Sequence, residues 1–338
     1  MATITEYIEP LLRGENLTFE QAGKLLDIIF EGQVPETQIA AFLTAMRCKP
    51  ATAAELAGLA RSLREHAVKV DAGIDNLVDT CGTGGAAVKT FNISTAAALV
   101  AAGAGIHVAK HGNRGITSKC GSADVLAELG VNIEAGPEIV ARCIKEAGIG
   151  FMFAPKYHPA MKYVQPVRKA LGFRTVFNIL GPLANPAGAQ AQVLGVADEA
   201  LMPVVAEALN LLGIRHAMIV HSNGLDEIST MGPTKITELK AGRLTEQTLY
   251  PTDCGIKMTA LDTLAGGDAK NNAEIVKNIL SGKDTGARKD IVVLNAAAAI
   301  IVGGRASDFA SAMRIADQSI GSGAAIQRLE KLVKVSNS

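Results

Sequence analysis

Short apolar runs alternate with helical stretches from about residue 77 to residue 240, and this alternation limits the fold more than any other feature. The runs predict strands at residues 77–80, 106–109, 132–134, 150–153, 192–196, 216–221 and 236–239. Strands that alternate with helices pair in one direction, which predicts a mostly parallel sheet flanked by helices. The tail from residue 260 is predicted to be helical, with an Ala-rich helix near residues 295–302.

The first 70 residues have the pattern of helices instead. Thr18 and Gln21 have the spacing of a capping box, as do Thr52 and Glu55, and Pro35 fits the first position of a helix. Apolar residues recur there with the period of one helix face. The sequence therefore predicts an α/β chain with a small all-helical domain followed by a larger domain that holds the sheet.

Three polar clusters that follow or precede predicted elements carry most of the functional information. They are Cys81-Gly82-Thr83-Gly84-Gly85, Asn92-Ile93-Ser94-Thr95 and Lys110-His111-Gly112-Asn113-Arg114. Glycine lets backbone N–H groups turn toward an anion, and the second cluster has cap-type residues at the start of a predicted helix, where free amides attract phosphate. The first cluster alone fits an ordinary tight turn equally well.

The third cluster favours an anion site. Lys110 stands at the C-terminal end of the predicted strand 106–109, and ligands of open α/β sheets bind beyond the carboxyl ends of strands. Lys110 offers a compact charge for phosphate, and Arg114 could offer a planar fork. Together the three clusters predict a pocket for a phosphorylated, negatively charged ligand.

Charge and cysteine content narrow the class of protein. Lys and Arg total 33, as do Asp and Glu, which argues against a chain built mainly to bind nucleic acid. The five cysteines are scattered without CxxC spacing, which is typical of reduced thiols in a cytoplasmic protein. The N-terminus does not have the pattern of a signal peptide, and polar residues interrupt the long apolar stretches, so we expect no membrane span.

Several further blocks, in order along the chain, resemble anthranilate phosphoribosyltransferases. These blocks are Gly121-Ser122-Ala123-Asp124, residues 167–175 (VRKALGFRT), residues 177–183 (FNILGPL) and residues 221–227 (HSNGLDE). The resemblance covers essentially the whole chain. It implies transfer of the phosphoribosyl group of phosphoribosyl pyrophosphate to the amino group of anthranilate, which gives N-(5-phosphoribosyl)anthranilate and pyrophosphate in tryptophan biosynthesis.

The same resemblance implies the domain organisation. The fold would be like that of nucleoside phosphorylases and phosphoribosyltransferases, with the active site in the cleft between two domains. The helical domain, residues 1–70, would be rejoined by about residues 165–187, and the large domain would comprise residues 71–164 and 188–338. The family forms homodimers through the helical domain, so part of that domain's apolar surface is an expected interface.

The resemblance also assigns substrate contacts. The donor, phosphoribosyl pyrophosphate, is expected to contact Gly82, Thr83, Gly85, Thr90, Asn92, Ser94, Thr95, Lys110, Ser118 and Ser122. Anthranilate is expected to contact Gly82, Asn113, His158 and Arg168, and the expected catalytic residues are Lys110 and Arg168. The planar guanidinium of Arg168 suits a carboxylate, because it can bind both carboxylate oxygens. An aromatic amine is already nucleophilic, so we expect positioning and leaving-group stabilisation to dominate catalysis.

A magnesium site is predicted at Asp226 and Glu227. Cleavage of the C1–O bond leaves negative charge on the diphosphate, which cations and Mg²⁺ shared with the phosphates would stabilise. Adjacent residues of an extended segment point opposite ways, so one shared ion requires a bend, whereas two ions suit an extended segment. The resemblance implies two Mg²⁺ ions, with Ser94 joining the shell.

One departure from the family pattern lies beside this site. The family usually has Asp-Gly after the glycine pair, where this chain has Ala86-Ala87. The change removes a negative charge near the expected diphosphate and metal.

Two alternatives stay open on the sequence. A pyrimidine nucleoside phosphorylase-like enzyme would share the architecture but would not need the Asp-Glu pair. A non-enzymatic relative that binds nucleic acid would show a basic surface and eroded substrate motifs.

Overall fold

The computed structural model describes residues 2–115 and 119–338, and it begins with the predicted helices. These are α1 (Thr5–Leu12), α2 (Phe19–Phe30), α3 (Glu36–Cys48) and α4 (Ala53–Glu65). Both capping boxes are confirmed: the hydroxyls of Thr18 and Thr52 accept the amides of Gln21 and Glu55, each at 3.2 Å. Pro35 is the residue before α3 rather than its first residue.

Seven strands form a single sheet among the described residues. They are β1 (Leu77–Gly82), β2 (His107–Gly112), β3 (Ile149–Phe153), β4 (Ala191–Gly195), β5 (His216–His221), β6 (Thr234–Lys240) and β7 (Arg243–Leu249). The spatial order is β3-β2-β1-β4-β5-β6-β7. The first five strands in this order are parallel to one another, whereas β6 pairs antiparallel with β5 and β7 pairs antiparallel with β6. The predicted mostly parallel sheet is therefore confirmed.

Two strand predictions differ from the structure. Residues 132–134, predicted as a strand, form a turn, because the Asn132 side-chain oxygen accepts the amide of Glu134 at 3.0 Å. The strand β7 was missed. Its side chains are almost all exposed, so its sequence lacks the apolar alternation that marks a half-buried strand.

Twelve further α-helices follow in the described part of the chain. They are α5 (Ile93–Gly103), α6 (Ser122–Glu128), α7 (Pro137–Ala147), α8 (Ala154–Tyr157), α9 (Gln165–Leu171), α10 (Phe177–Leu183), α11 (Met202–Leu211), α12 (Leu261–Leu264), α13 (Ala269–Leu280), α14 (Ala287–Val302), α15 (Phe309–Gly321) and α16 (Ala324–Ser336). Successive strand residues point to opposite faces. Thus Val193 of β4 belongs to the apolar cluster that includes α5 and α14, whereas Leu194 belongs to the cluster that includes α4 and α11.

The segment predicted to rejoin the helical domain shares its core. Val167 of α9 and Phe177 and Leu180 of α10 belong to the same apolar cluster as the inner faces of α2 and α4. That cluster also includes α11 and one face of the sheet, so packing is continuous across the predicted boundaries. The boundaries at residues 70, 165 and 187 stay predictions.

The strands β1 and β2 separate in their carboxyl halves. Their ladder pairs Leu77 with His107 and Val78 with Val108, and goes no further. By contrast, β1 stays paired with β4 as far as Gly82, and β2 stays paired with β3 as far as Gly112. The separation opens a notch at the carboxyl edge of the sheet.

Buried polar side chains occupy the notch and satisfy the backbone groups that the ladder releases. Asp79 accepts the amide of His111 at 3.2 Å, and its other oxygen accepts the Asn185 side-chain amide at 2.8 Å. The same Asn185 amide donates to the carbonyl of Ala109 at 2.8 Å. Buried backbone groups are nearly always hydrogen-bonded. These side chains therefore offset the cost of separating the two strands.

We predict that Asn185→Leu lowers the free energy of unfolding by about 2 kcal/mol or more, because the Asp79 carboxylate and the Ala109 carbonyl would lose a buried donor. Urea denaturation would measure the change. The matched control is Asn271→Leu on the exposed side of α13. Equal destabilisation by the two variants would contradict the role assigned to Asn185.

Candidate active site

A cavity of about 320 Å³, here called the glycine-loop cavity, opens at this notch. From β1 the chain passes outward to β2 and β3, then returns to β4 on the other side of β1, and ligands of α/β sheets bind where the strand order reverses in this way. The structure brings together here the predicted residues Gly82, Thr83, Gly85, Thr90, Asn92, Ser94, Thr95, Lys110, Asn113, Ser122, Asp226 and Glu227. The predicted contact Ser118 lies outside the described residues.

The loop that carries Asp226 and Glu227 crosses directly over the ends of β1 and β4. The Asp226 carboxylate accepts the amide of Gly84 at 3.2 Å. A Cβ at Gly82 would lie 2.4 Å from that carboxylate, and a Cβ at Gly195 would lie 1.7 Å from the Asp226 carbonyl oxygen. Both strands therefore need glycine at their last residue, because any side chain there would displace the carboxylate from the cavity.

Glu227 is held by the first turn of α5. Its Oε1 accepts the amide of Ser94 at 3.2 Å. Asn92 precedes α5 but does not cap it, since its side-chain oxygen accepts the Asn272 amide at 2.9 Å. The buried hydroxyl of Thr95 makes no hydrogen bond to any part of the chain that the structure describes. The start of α5 thus keeps donors available for a ligand.

The two carboxyls are costly to ionise without a cation. Burial raises the pKa of Asp226, and burial together with the neighbouring Asp226 raises the pKa of Glu227 to about 8. Carboxylate and hydroxyl oxygens are suitable ligands for Mg²⁺. Among residues 2–115 and 119–338, no three His, Cys, Asp or Glu side chains could hold an ion by themselves. The acidic pair therefore fits an ion that completes its shell with water and substrate oxygens.

Lys110 lies beneath the cavity with 2% of its surface exposed. Its ammonium donates to the Thr80 carbonyl at 2.5 Å and to the Thr80 hydroxyl at 3.3 Å. Burial lowers its pKa, while Asp79 opposes that shift. Lys110 lies within β2 rather than at its end, so its charge acts from under the site in this structure.

A second cavity of about 440 Å³, here called the histidine cavity, adjoins the first. It contains the predicted residues Asn113, His158 and Arg168, and Gly82 is absent from its lining. Four residues line both cavities, namely Thr83, His111, Asn113 and Asn178. Two ligands bound in the two cavities would therefore meet across these four side chains.

The histidine cavity combines two neutral imidazole rings with two cations, Lys162 and Arg168. Burial lowers the pKa of His111 to about 3 and that of His158 to about 4, so both rings are neutral near pH 7. Their centroids are 5.0 Å apart. The Arg168 guanidinium lies 5.4 Å from the Phe177 ring centroid and donates to the Gln165 side-chain oxygen at 3.2 Å. The lining suits a flat aromatic ligand that carries a negative charge.

Sequence reasoning did not assign contacts to several residues that line these cavities. These are Lys89, His111, Arg174 and Asn178. Each lies inside or beside a motif that was recognised, so motif membership was the available signal.

Two cations that line the glycine-loop cavity, Arg114 and Lys89, are hydrogen-bonded to nearby loops. Arg114 donates to Asp124 at 2.9 Å, and Asp124 also accepts the amides of Gly115 and Gly121. Lys89 donates to the carbonyl of Ala86 at 2.7 Å, and the Ala86 side chain is buried.

Comparison with known proteins agrees with this arrangement. The profile described as "Glycosyl transferase family, a/b domain" matches residues 74–326, and "Glycosyl transferase family, helical bundle domain" matches residues 5–67. The fold and the site thus define a glycosyl transferase.

Full-length relatives narrow this class. The anthranilate phosphoribosyltransferase of Herpetosiphon aurantiacus is 51% identical, over 95% of this chain and 96% of its own. The structure of the enzyme from Thermus thermophilus is 39% identical with a TM-score of 0.93, over 98% of this chain and 99% of its own. The Saccharomyces cerevisiae enzyme in complex with PRPP and Mg is 29% identical with a TM-score of 0.88, over 98% of this chain and 97% of its own. A further structure of that yeast enzyme holds 4-fluoroanthranilate.

This chain belongs to the anthranilate phosphoribosyltransferase family. These relatives agree with the main prediction and not with the phosphorylase or nucleic-acid-binding alternatives. Within the described residues, no helix has both the length and the hydropathy that crossing a bilayer requires.

The raised pKa of Glu227 predicts a pH-dependent stability. Between about pH 4.5 and 8, folded Glu227 keeps a proton that the unfolded chain has lost, so raising the pH through this window lowers the free energy of unfolding. We expect Glu227→Gln to flatten the decline of the melting temperature across this window, and Mg²⁺ to raise the wild-type melting temperature most at the alkaline end.

Thermal melts at pH 5 to 8.5, with and without Mg²⁺, would measure both effects. Glu246→Gln on the exposed strand β7 is the control and should keep the wild-type pH dependence. A Glu227→Gln profile parallel to that of the wild type would contradict the prediction.

Proposed function

We propose that this chain transfers the phosphoribosyl group of phosphoribosyl pyrophosphate to anthranilate, with the donor in the glycine-loop cavity and the acceptor in the histidine cavity. The observation that carries the proposal is the pair of adjoining cavities with four shared lining residues. One cavity offers backbone amides, hydroxyls and carboxylates, whereas the other offers neutral rings and a guanidinium. The family of the chain supports this assignment.

The donor contacts proposed for this chain are those predicted from the sequence. The amides of the glycine loop and of the first turn of α5 would bind phosphate oxygens, because such amides point positive charge toward an anion. The Thr95 hydroxyl, which lacks a partner in the described chain, would gain one. Lys110 would stabilise the negative charge on the departing diphosphate from below.

Asp226, Glu227 and Ser94 are proposed to hold Mg²⁺. We propose that two Mg²⁺ ions bind. When bound, the metal would supply positive charge beside the diphosphate. The yeast relative was solved with PRPP and Mg, which supports a role for the metal in this chain. The raised pKa values of the two carboxyls give a physical reason for binding, since a cation would restore their ionised forms.

Anthranilate would bind with its carboxylate on Arg168 and its ring near His158. In the reaction, the amine nitrogen bonds to ribose C1 as the C1–O bond to the diphosphate breaks, and the electron pair of that bond leaves with the diphosphate. The secondary ammonium that forms then loses one proton to water. The neutral His111 and His158 need not act as bases, because the aromatic amine is nucleophilic without deprotonation. Rate enhancement would come mainly from holding the amine against C1.

A cytoplasmic location and a homodimer through the helical segment complete the proposal. The odd number of scattered cysteines supports the location. Leu12, at the end of α1, is 64% exposed, which supports a covering partner. Sedimentation equilibrium would measure the oligomeric state, and the expected result is a mass twice that of the chain.

Loss of anthranilate fluorescence would test the function directly. We expect the loss to require both phosphoribosyl pyrophosphate and Mg²⁺, and ribose 5-phosphate to give none. Phosphorolysis of a pyrimidine nucleoside without any loss of anthranilate would instead favour the phosphorylase alternative.

Arg168→Ala should raise the KM for anthranilate about tenfold or more, since a hydrogen bond to a charged group is lost, and should change the KM for the donor less than about twofold. Steady-state kinetics with each substrate varied in turn would measure both values. Lys169→Ala, an exposed neighbour on α9 that lines neither cavity, is the control. A similar rise for both substrates would remove Arg168 from the acceptor site.

A further inference from the structure

Arg174 reaches the glycine loop from another part of the chain. It lies on the short connection between α9, which ends at Leu171, and α10, which begins at Phe177. Both of its terminal nitrogens donate to the carbonyl oxygen of Gly84, each at 3.2 Å. Arg174 lines the glycine-loop cavity and also a neighbouring cavity of about 570 Å³ between α3 and α10.

The shape of the loop admits this guanidinium only because residue 85 is glycine. Gly85 has φ +77°, and a Cβ built on it would lie 1.4 Å from Nη1 of Arg174. The guanidinium therefore lies against the backbone of the loop that is proposed to bind the diphosphate. An anion bound to the loop amides would lie beside this charge.

The hydrogen bonds of Arg174 go to a neutral acceptor, and its charge also acts on the Asp226 carboxyl. In the part of the chain that the structure describes, no carboxylate lies within 4.0 Å of its nitrogens, and its side chain is exposed. Among the other cations of the cavity, Arg114 is paired with Asp124 and Lys110 is buried against Thr80, whereas Lys89 also donates to a neutral carbonyl, that of Ala86. A guanidinium binds phosphate oxygens bidentately and more strongly than it binds a neutral carbonyl.

We propose that Arg174 is a further donor-binding residue, whose guanidinium exchanges its bonds to the Gly84 carbonyl for bonds to the diphosphate of the donor. The inference rests on the proposed function and adds to it a contact that ties the donor to the connection between α9 and α10. Since α9 carries Arg168 and α10 carries Asn178, this contact links the donor to the wall of the histidine cavity.

Binding of inorganic pyrophosphate to the full-length protein, measured by titration calorimetry with and without Mg²⁺, would test the proposal. Arg174→Gln keeps a donor for the Gly84 carbonyl but removes the charge, Arg174→Met removes both, and Arg174→Lys keeps the charge. Arg47→Gln is the matched control, because Arg47 is an exposed arginine that lines the neighbouring cavity and not the glycine-loop cavity.

We expect Arg174→Gln and Arg174→Met to weaken pyrophosphate binding equally, by about tenfold or more, and Arg174→Lys to recover part of the loss. Arg47→Gln should bind as the wild type does. Two results would overturn the inference: wild-type affinity in Arg174→Gln with a loss only in Arg174→Met, which would mean that Arg174 only holds the loop, or wild-type affinity in all three variants.

The same variants separate this inference from the proposed function. If the wild type consumes anthranilate with phosphoribosyl pyrophosphate while Arg174→Gln keeps its KM for the donor, the proposed function stands and Arg174 is excluded. If the wild type neither binds pyrophosphate nor consumes anthranilate, the proposed function itself fails.

Discussion

The separation of β1 from β2 after their second pair is the constraint on which the site depends. Parallel strands normally continue their ladder, and ending it inside a buried sheet exposes backbone donors and acceptors. Asp79, Asn185 and Lys110 satisfy those groups with side chains. The notch is therefore a stable part of the fold, and it places the glycine loop, the start of α5 and the end of β2 around one space.

The charged groups around this notch are of both signs. Asp79 and Glu227 interact electrostatically with Lys110, and burial raises the pKa of Asp79, Asp226 and Glu227. Added cations would favour their ionised forms, whereas the loop and helix amides favour an added anion. A site that attracts both a cation and an anion is suited to a phosphate compound that arrives with a metal.

Much of the fold could be predicted from the sequence, because local patterns determine it. Thr18 with Gln21 and Thr52 with Glu55 form the capping boxes that their spacing indicates. The strands that were predicted correctly are apolar and buried, whereas β7 is polar and exposed and was missed. The strand predicted at residues 132–134 is wrong, because one side-chain hydrogen bond favours a turn over a short strand. Local competition of this kind leaves little trace in a hydrophobic pattern.

The sequence by itself determined the class of fold, the family and the polar clusters that meet at the site, since glycines, caps and charged residues occupy recognisable positions along the chain. Only the tertiary structure decided what those residues face. Lys110, whose predicted role is to act on phosphate, lies beneath the cavity and donates to the carbonyl of Thr80. Arg174, ninety positions from Gly84 in the sequence, contacts the glycine loop. The direction of a side chain and its distant partners depend on how separate segments pack, and no local pattern encodes that packing.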